Sequence, residues 1–121
     1  AGIETLRVID EDENFYRNLN DSCEYLYQGI TEVLRELGLN FTLNRVGSMF
    51  TLFFTEEKVF DFDSAKKSDT TLFAQVFNRM LESGIYLPPS QFEACFISAA
   101  HSKKEFDQTI QAFQHALKEL R

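Results

Sequence analysis

The chain has 121 residues, enough for one hydrophobic core and too few for two ordinary domains. Hydrophobic residues make up 44% and charged residues 26%, which excludes a disordered chain, and thirteen Phe with no Trp imply a core filled by phenyl rings. The net charge of -7 argues against nucleic acid and an anionic membrane as partners, since both need a basic face, and no apolar run approaches the roughly 20 residues of a membrane span.

Ile3, Leu6 and Ile9 recur every three positions and predict a helix at the start. No residue before it supplies a cap, and the chain opens on Ala1 without Met, so it is expected to be cut from something longer. The acidic cluster Asp10 to Glu13 is expected at the N-terminus of a second helix, where the macrodipole is positive. A cation loop would need a glycine to shape it, and the cluster has none. The second helix carries Phe15, Leu19, Cys23, Leu26, Ile30, Val33, Leu34 and Leu37 as one apolar stripe. Gly38 supplies a left-handed stop, with Leu39 folding back on the last turn.

Phe41 to Val46 reads as a strand, Gly47-Ser48 as a break, and Met49 to Phe54 as a second strand. The second is apolar on both faces, so it is expected in the centre of a sheet with both faces covered. Thr55 to Ser68 reads as a long polar surface loop. Asp69 caps the next helix, whose expected buried face is Leu72, Phe73, Val76, Phe77, Met80 and Leu81, and Gly84 ends it. Ile85 to Leu87 is expected as a short strand stopped by Pro88-Pro89, and Cys95 to Ser98 as another. Ser102-Lys103-Lys104-Glu105 is a capping-box pattern before a last helix with Phe106, Ile110, Phe113, Leu117 and Leu120 on one face. This order predicts an α+β fold, with helices packed on one face of a small, mainly antiparallel sheet.

Little in the chain reads as chemistry. The two Cys, Cys23 and Cys95, make neither a disulfide framework nor a metal site, and Cys23 falls on the apolar helix face as a buried thiol. His115 is expected to face solvent and His101 to support a loop, and neither has a ligand partner at zinc spacing. There is no nucleophile elbow and no phosphate-cradling glycine loop. Two segments are poorly explained by packing. In Asn44 to Phe50, Arg, Gly and Ser interrupt an apolar sheet, as a tight turn with a surface Arg would. In Tyr86 to Ala94, a stiff connector carries Ser90, Gln91 and Glu93, which suits either a polar loop anchored by Phe92 or one wall of a binding site.

Those two segments, Asn44-Arg45-Val46-Gly47-Ser48-Met49-Phe50-Thr51 and Pro89-Ser90-Gln91-Phe92-Glu93-Ala94, with Ser98 and His101, resemble the glutamate-1-semialdehyde 2,1-aminomutase family. The opening Ala1 to Leu6 resembles the point where that family's large domain hands over to its C-terminal small domain. The resemblance implies the aspartate-aminotransferase type of fold, dependence on pyridoxal phosphate, and isomerisation of glutamate-1-semialdehyde to 5-aminolevulinate for tetrapyrroles. It implies a single small domain, with residues 1–12 as the end of a connecting helix and linker and 13–121 as the body. It implies a missing large domain that holds the cofactor, and a homodimeric parent enzyme, cytoplasmic in bacteria and plastidic in plants. No cofactor is expected on this chain and no catalytic residue in it, because a Schiff-base Lys must be partly desolvated and all six lysines fall in polar contexts.

For substrate binding, the resemblance implies Glu93 first. Related transaminases place a carboxylate-binding Arg near this point, whereas a Glu repels a carboxylate and favours an amino group. Ser90 and Gln91 would orient Glu93 or face the cofactor side, and Gly47 and Ser48 would let the backbone approach the site. Two alternatives stay open: the small domain of another transaminase of that superfamily (class-III-like), and a free-standing binding or oligomerisation module.

Overall fold

Three strands, β1 (Thr42–Val46), β2 (Met49–Phe53) and β3 (Cys95–Phe96), form an antiparallel sheet with β2 in the centre. The computed structural model describes residues 1–120, and residue 121 of the expected domain lies outside the described residues. Around the sheet stand α1 (Gly2–Glu11), α2 (Phe15–Leu37), α3 (Phe62–Ala65), α4 (Thr70–Glu82) and α5 (Lys103–Lys118). The expected α+β class and antiparallel sheet are what the structure shows.

The register sets the faces. Leu43 stands opposite Leu52, Arg45 opposite Phe50, and Phe50 opposite Cys95, so these five share one side. Helices α2 and α5 pack together and α2 lies against the sheet on that side, where Phe50 and Leu52 are buried. Phe113, Ile30, Met80 and Leu117 are the largest fully buried side chains. Each contributes about 1.5–3 kcal/mol by leaving water. The other side carries Thr42, Asn44, Val46, Met49, Thr51, Phe53 and Phe96, of which Val46 is 72% and Phe96 69% exposed. So β2 is central, with Phe50 and Leu52 buried on one face and Met49, Thr51 and Phe53 partly covered on the other.

The ends of the helices follow local chemistry. Gly38 has φ 66°, and the Leu39 N–H donates to the Leu34 carbonyl at 2.9 Å, closing α2 as expected. The Asp69 carboxylate accepts from the Leu72 N–H, and Ser102 with Glu105 forms the reciprocal capping box of α5.

Several expectations are corrected. Thr55 to Ser68 is not a plain surface loop: it contains α3, capped reciprocally by Asp61 and Ser64, and buries Ser64, Ala65 and Ser68. Thr42 Oγ1 donates to the Glu57 carbonyl and Asn44 Nδ2 to the Val59 carbonyl, both at 2.8 Å, so this segment is tied to β1. Ile85 to Leu87 is not a strand, because the Ile85 N–H donates to the Met80 carbonyl at 2.8 Å to finish α4 and Pro88 then interrupts the chain. Leu81 is 48% exposed rather than buried. The acidic cluster is split: Asp10 and Glu11 lie in the last turn of α1, Asp12 caps its end, and the first turn of α2 holds no acid. The helix α1 has no buried residue, and no side chain caps it at Ala1.

Candidate functional site

Asn44 to Phe50 spans β1, its turn and the start of β2, and Tyr86 to Ala94 leads directly into β3; β2 and β3 lie side by side. The Met49↔Phe96 and Phe50↔Cys95 pairs join them, and the Ile97 N–H donates to the Ser48 carbonyl at 3.1 Å. The turn between β1 and β2 has two residues. Gly47 holds φ 57°, the left-handed value that the first position of such a hairpin demands. An added Cβ there would meet nothing within 4 Å, so only the backbone angle calls for glycine.

Arg45 is no free surface charge. Its side chain is 20% exposed and pairs with Glu24 on α2. The same guanidinium donates to Asn20 Oδ1 at 3.2 Å and to the Gly47 carbonyl at 3.0 Å, and lies 5.7 Å from the Tyr27 ring centroid. It fastens the hairpin turn to the helical layer. Alternation along β1 was the signal, since Arg45 shares the core-facing side with Leu43.

The connector before β3 is a bonded turn. The Glu93 N–H donates to the Ser90 carbonyl at 3.2 Å, and the Phe92 N–H donates to Ser90 Oγ at 3.2 Å. Ser90 therefore shapes the turn that carries Glu93. Gln91 is buried and both of its amide atoms go to β2 and its continuation. The Phe54 N–H donates to Gln91 Oε1 at 3.1 Å, and Gln91 Nε2 donates to the Leu52 carbonyl at 2.9 Å. Thr51 Oγ1 donates to the Glu93 carbonyl at 3.2 Å, a contact that sequence reasoning missed.

Glu93 itself is exposed. It stands between an open groove of about 670 Å³, flanked by Tyr86, His101 and Thr109, and a narrow crevice of about 20 Å³ against Phe77 and Phe113. Gly47 and Ser48 line neither. The structure thus brings Ser90, Gln91 and Glu93 together, and sets Gly47 and Ser48 at the far end of β2. Beside Glu93, burial pushes the Cys95 thiol up to about 12, with Cys23 and Glu93 adding to the shift. Such a thiol stays protonated at neutral pH and is no nucleophile. His101 supports its loop as expected, since its Nδ1 accepts from the Ser98 N–H at 3.1 Å.

The lysines do not fit pyridoxal phosphate. All six are exposed, and Lys66, Lys67 and Lys103 pair with Asp63, Glu57 and Asp107 at 2.8, 2.5 and 2.6 Å. Their carboxylate partners hold Lys67 and Lys103 above the usual lysine value, the opposite of what a Schiff-base amine needs. Among the described residues no group of His, Cys, Asp or Glu could hold a metal, and no helix is long and apolar enough to cross a membrane.

No protein-family model matches the chain. It is 48% identical over 120 residues to the glutamate-1-semialdehyde 2,1-aminomutase of Cytophaga hutchinsonii, a match that covers 99% of this chain and 28% of that protein. The chain is similar, over nearly its whole length, to one segment of the glutamate-1-semialdehyde 2,1-aminomutases. The aminomutase of Thermus thermophilus is 46% identical over 117 residues, covering 97% of this chain and 28% of its own. The chain therefore spans little more than a quarter of the aminomutases it matches. Its fold is shared by solved transaminases. A structure described as a transaminase with PLP bound has a TM-score of 0.79 and 20% identity, over 98% of this chain and 26% of that one. An omega-transaminase from Sphaerobacter thermophilus also reaches 0.79, at 22% identity, over 88% of this chain and 24% of that one.

Proposed function

We propose that the chain is the C-terminal small domain of a glutamate-1-semialdehyde 2,1-aminomutase, with residues 1–12 ending a connecting helix and linker and 13–121 forming the domain. The parent enzyme isomerises glutamate-1-semialdehyde to 5-aminolevulinate for tetrapyrrole synthesis, as a homodimer in the cytoplasm, or in the plastid of a plant. Pyridoxal phosphate belongs to the large domain, and this chain alone does not catalyse. The observation that carries the reading is the 48% identity over 99% of the chain to only 28% of an aminomutase. The half-open sheet face with Val46 and Phe96 supports it, as a surface for the remainder of the protein.

In this reading Glu93 is the substrate-side carboxylate. It attracts the amino group of the substrate and repels its carboxylate. Ser90 and Gln91 shape the turn that presents it, and Gly47 and Ser48, which line neither cavity of this chain, let the hairpin backbone approach the site that the large domain completes. A second reading, the same domain in another class-III-like transaminase, draws on the transaminase structures that share the fold.

The test is to join this chain to the rest of the Cytophaga hutchinsonii aminomutase in place of its matching segment. The expected result is conversion of glutamate-1-semialdehyde without an external amino acceptor, and none by the chain alone. A joined protein that turns over only with a second amino acid or keto acid would favour the other transaminase. Conversion by the chain alone would overturn both.

A further inference from the structure

We infer that Gln91 and Thr51 are positioning residues that clamp the Ser90–Glu93 turn to β2 and so fix where the Glu93 carboxylate stands, an inference that rests on the role given to Glu93 above. β3 accompanies β2 only at Phe50 and Met49. Continued in the same register, the chain would place Glu93 as a strand residue opposite Leu52, with its backbone spent on the ladder. Instead, Glu93 turns back on Ser90. The Leu52 carbonyl and the Phe54 N–H are taken by the Gln91 amide. One carboxamide offers a donor and an acceptor, as a peptide group does, so Gln91 stands in for the missing strand.

That substitution has a geometric result. The backbone from Ser90 to Glu93 is free to leave the sheet, while the buried Gln91, 3% exposed, keeps it from drifting. The Thr51 hydroxyl then holds the Glu93 carbonyl from β2. Glu93 is held at two points and presents an exposed carboxylate at the groove. Leucine fills the Gln91 site but bonds neither backbone atom, and valine at 51 keeps the shape of Thr without the donor.

The experiment uses a full-length protein containing this chain, with Gln91→Leu and Thr51→Val made separately in wild-type and Glu93→Gln backgrounds. In the wild-type background, Gln91→Leu is expected to lower kcat for glutamate-1-semialdehyde about 100-fold and Thr51→Val about tenfold, the scale of a 1 Å misplacement. In the Glu93→Gln background both factors shrink toward one, because each acts through Glu93. Equal losses in both backgrounds, or no loss, would overturn the inference. Hydrogen exchange of the segments 50–54 and 90–94 is read on the same proteins and needs no activity. Gln91→Leu should speed exchange in both segments about tenfold or more, and unchanged exchange would sink the clamp. A wild-type protein with no aminomutase activity but clamp-dependent exchange would discard the aminomutase reading and with it the role of Glu93, and leave the clamp standing.

Discussion

Arg45 on β1 and Glu24 on α2 form an ion pair between the sheet and the helical layer, and the same arginine holds the Gly47 carbonyl at 3.0 Å. One side chain thus fastens a strand, a turn and a helix. Arg45→Met should cost about 1.5–3 kcal/mol, the range for hydrogen bonds to a charged group. Arg45→Lys should recover less than half of this, because an ammonium cannot spread a planar fork over these acceptors. Urea unfolding of the three proteins checks both statements.

Gly29 sits where α2 meets α5. A Cβ added there would come within 2.2 Å of Ile110 Cδ1 and 2.7 Å of its Cγ1. Gly29→Ala should therefore destabilise by about 1–2 kcal/mol, overpacking outweighing the roughly 1 kcal/mol gained in helix propensity. Adding Ile110→Val removes the nearest atom, and the double variant should be more stable than Gly29→Ala alone. Losses that simply add would show that the two sites are uncoupled.

The thiols set an alkaline limit. Burial raises both Cys23 and Cys95, the latter to about 12. An acid raised in the folded state keeps its proton longer there than in the unfolded chain. Its contribution to stability is whole below the unfolded thiol value of about 8.5 and is lost as pH climbs from there toward 12. The urea midpoint should fall between pH 7 and pH 10, and should fall less in Cys95→Ala. Native protein should resist iodoacetamide at pH 8, whereas unfolded protein should react at both thiols.

Two capping boxes set the acid limit. The Ser64 hydroxyl and N–H hold Asp61 below its usual value, and the Ser102 hydroxyl and N–H do the same for Glu105. Depressed carboxylates contribute stability above the unfolded value of about 4, and it is lost as pH falls through their lower folded values. Helicity followed by circular dichroism should decline below about pH 4. Glu105→Gln should start less stable at pH 7 and show a shallower acid limb.

What was legible in the sequence was what lies close along the chain. Asp69, Ser102 with Glu105, and Gly38 mark helix ends through bonds to residues a few positions away, so the sequence places these ends of α2, α4 and α5 close to where they lie. The failures have different causes, one long-range and two local. Gln91 reads as a polar loop residue until Leu52 and Phe54, 39 and 37 positions away, are seen to take its amide. Ile85 to Leu87 looks like a strand by composition, but the cap of α4 claims the Ile85 N–H. Helix α3 was hidden because four residues are too few for a periodic signal. The candidate site was half legible: Ser90, Gln91 and Glu93 meet in one turn, while Thr51 and the partners of Arg45 depend on register.

The helix at the chain's start has a thermodynamic consequence. Helix α1 is tied internally by Arg7 to Glu4 and Glu11, yet Ile3 is 88% and Leu6 68% exposed. Its water-facing apolar side chains amount to latent adhesion. Covering each in full would release about 1.5–3 kcal/mol. Because none of α1 is part of the core, that gain would reach whatever covers it without any repacking of the body.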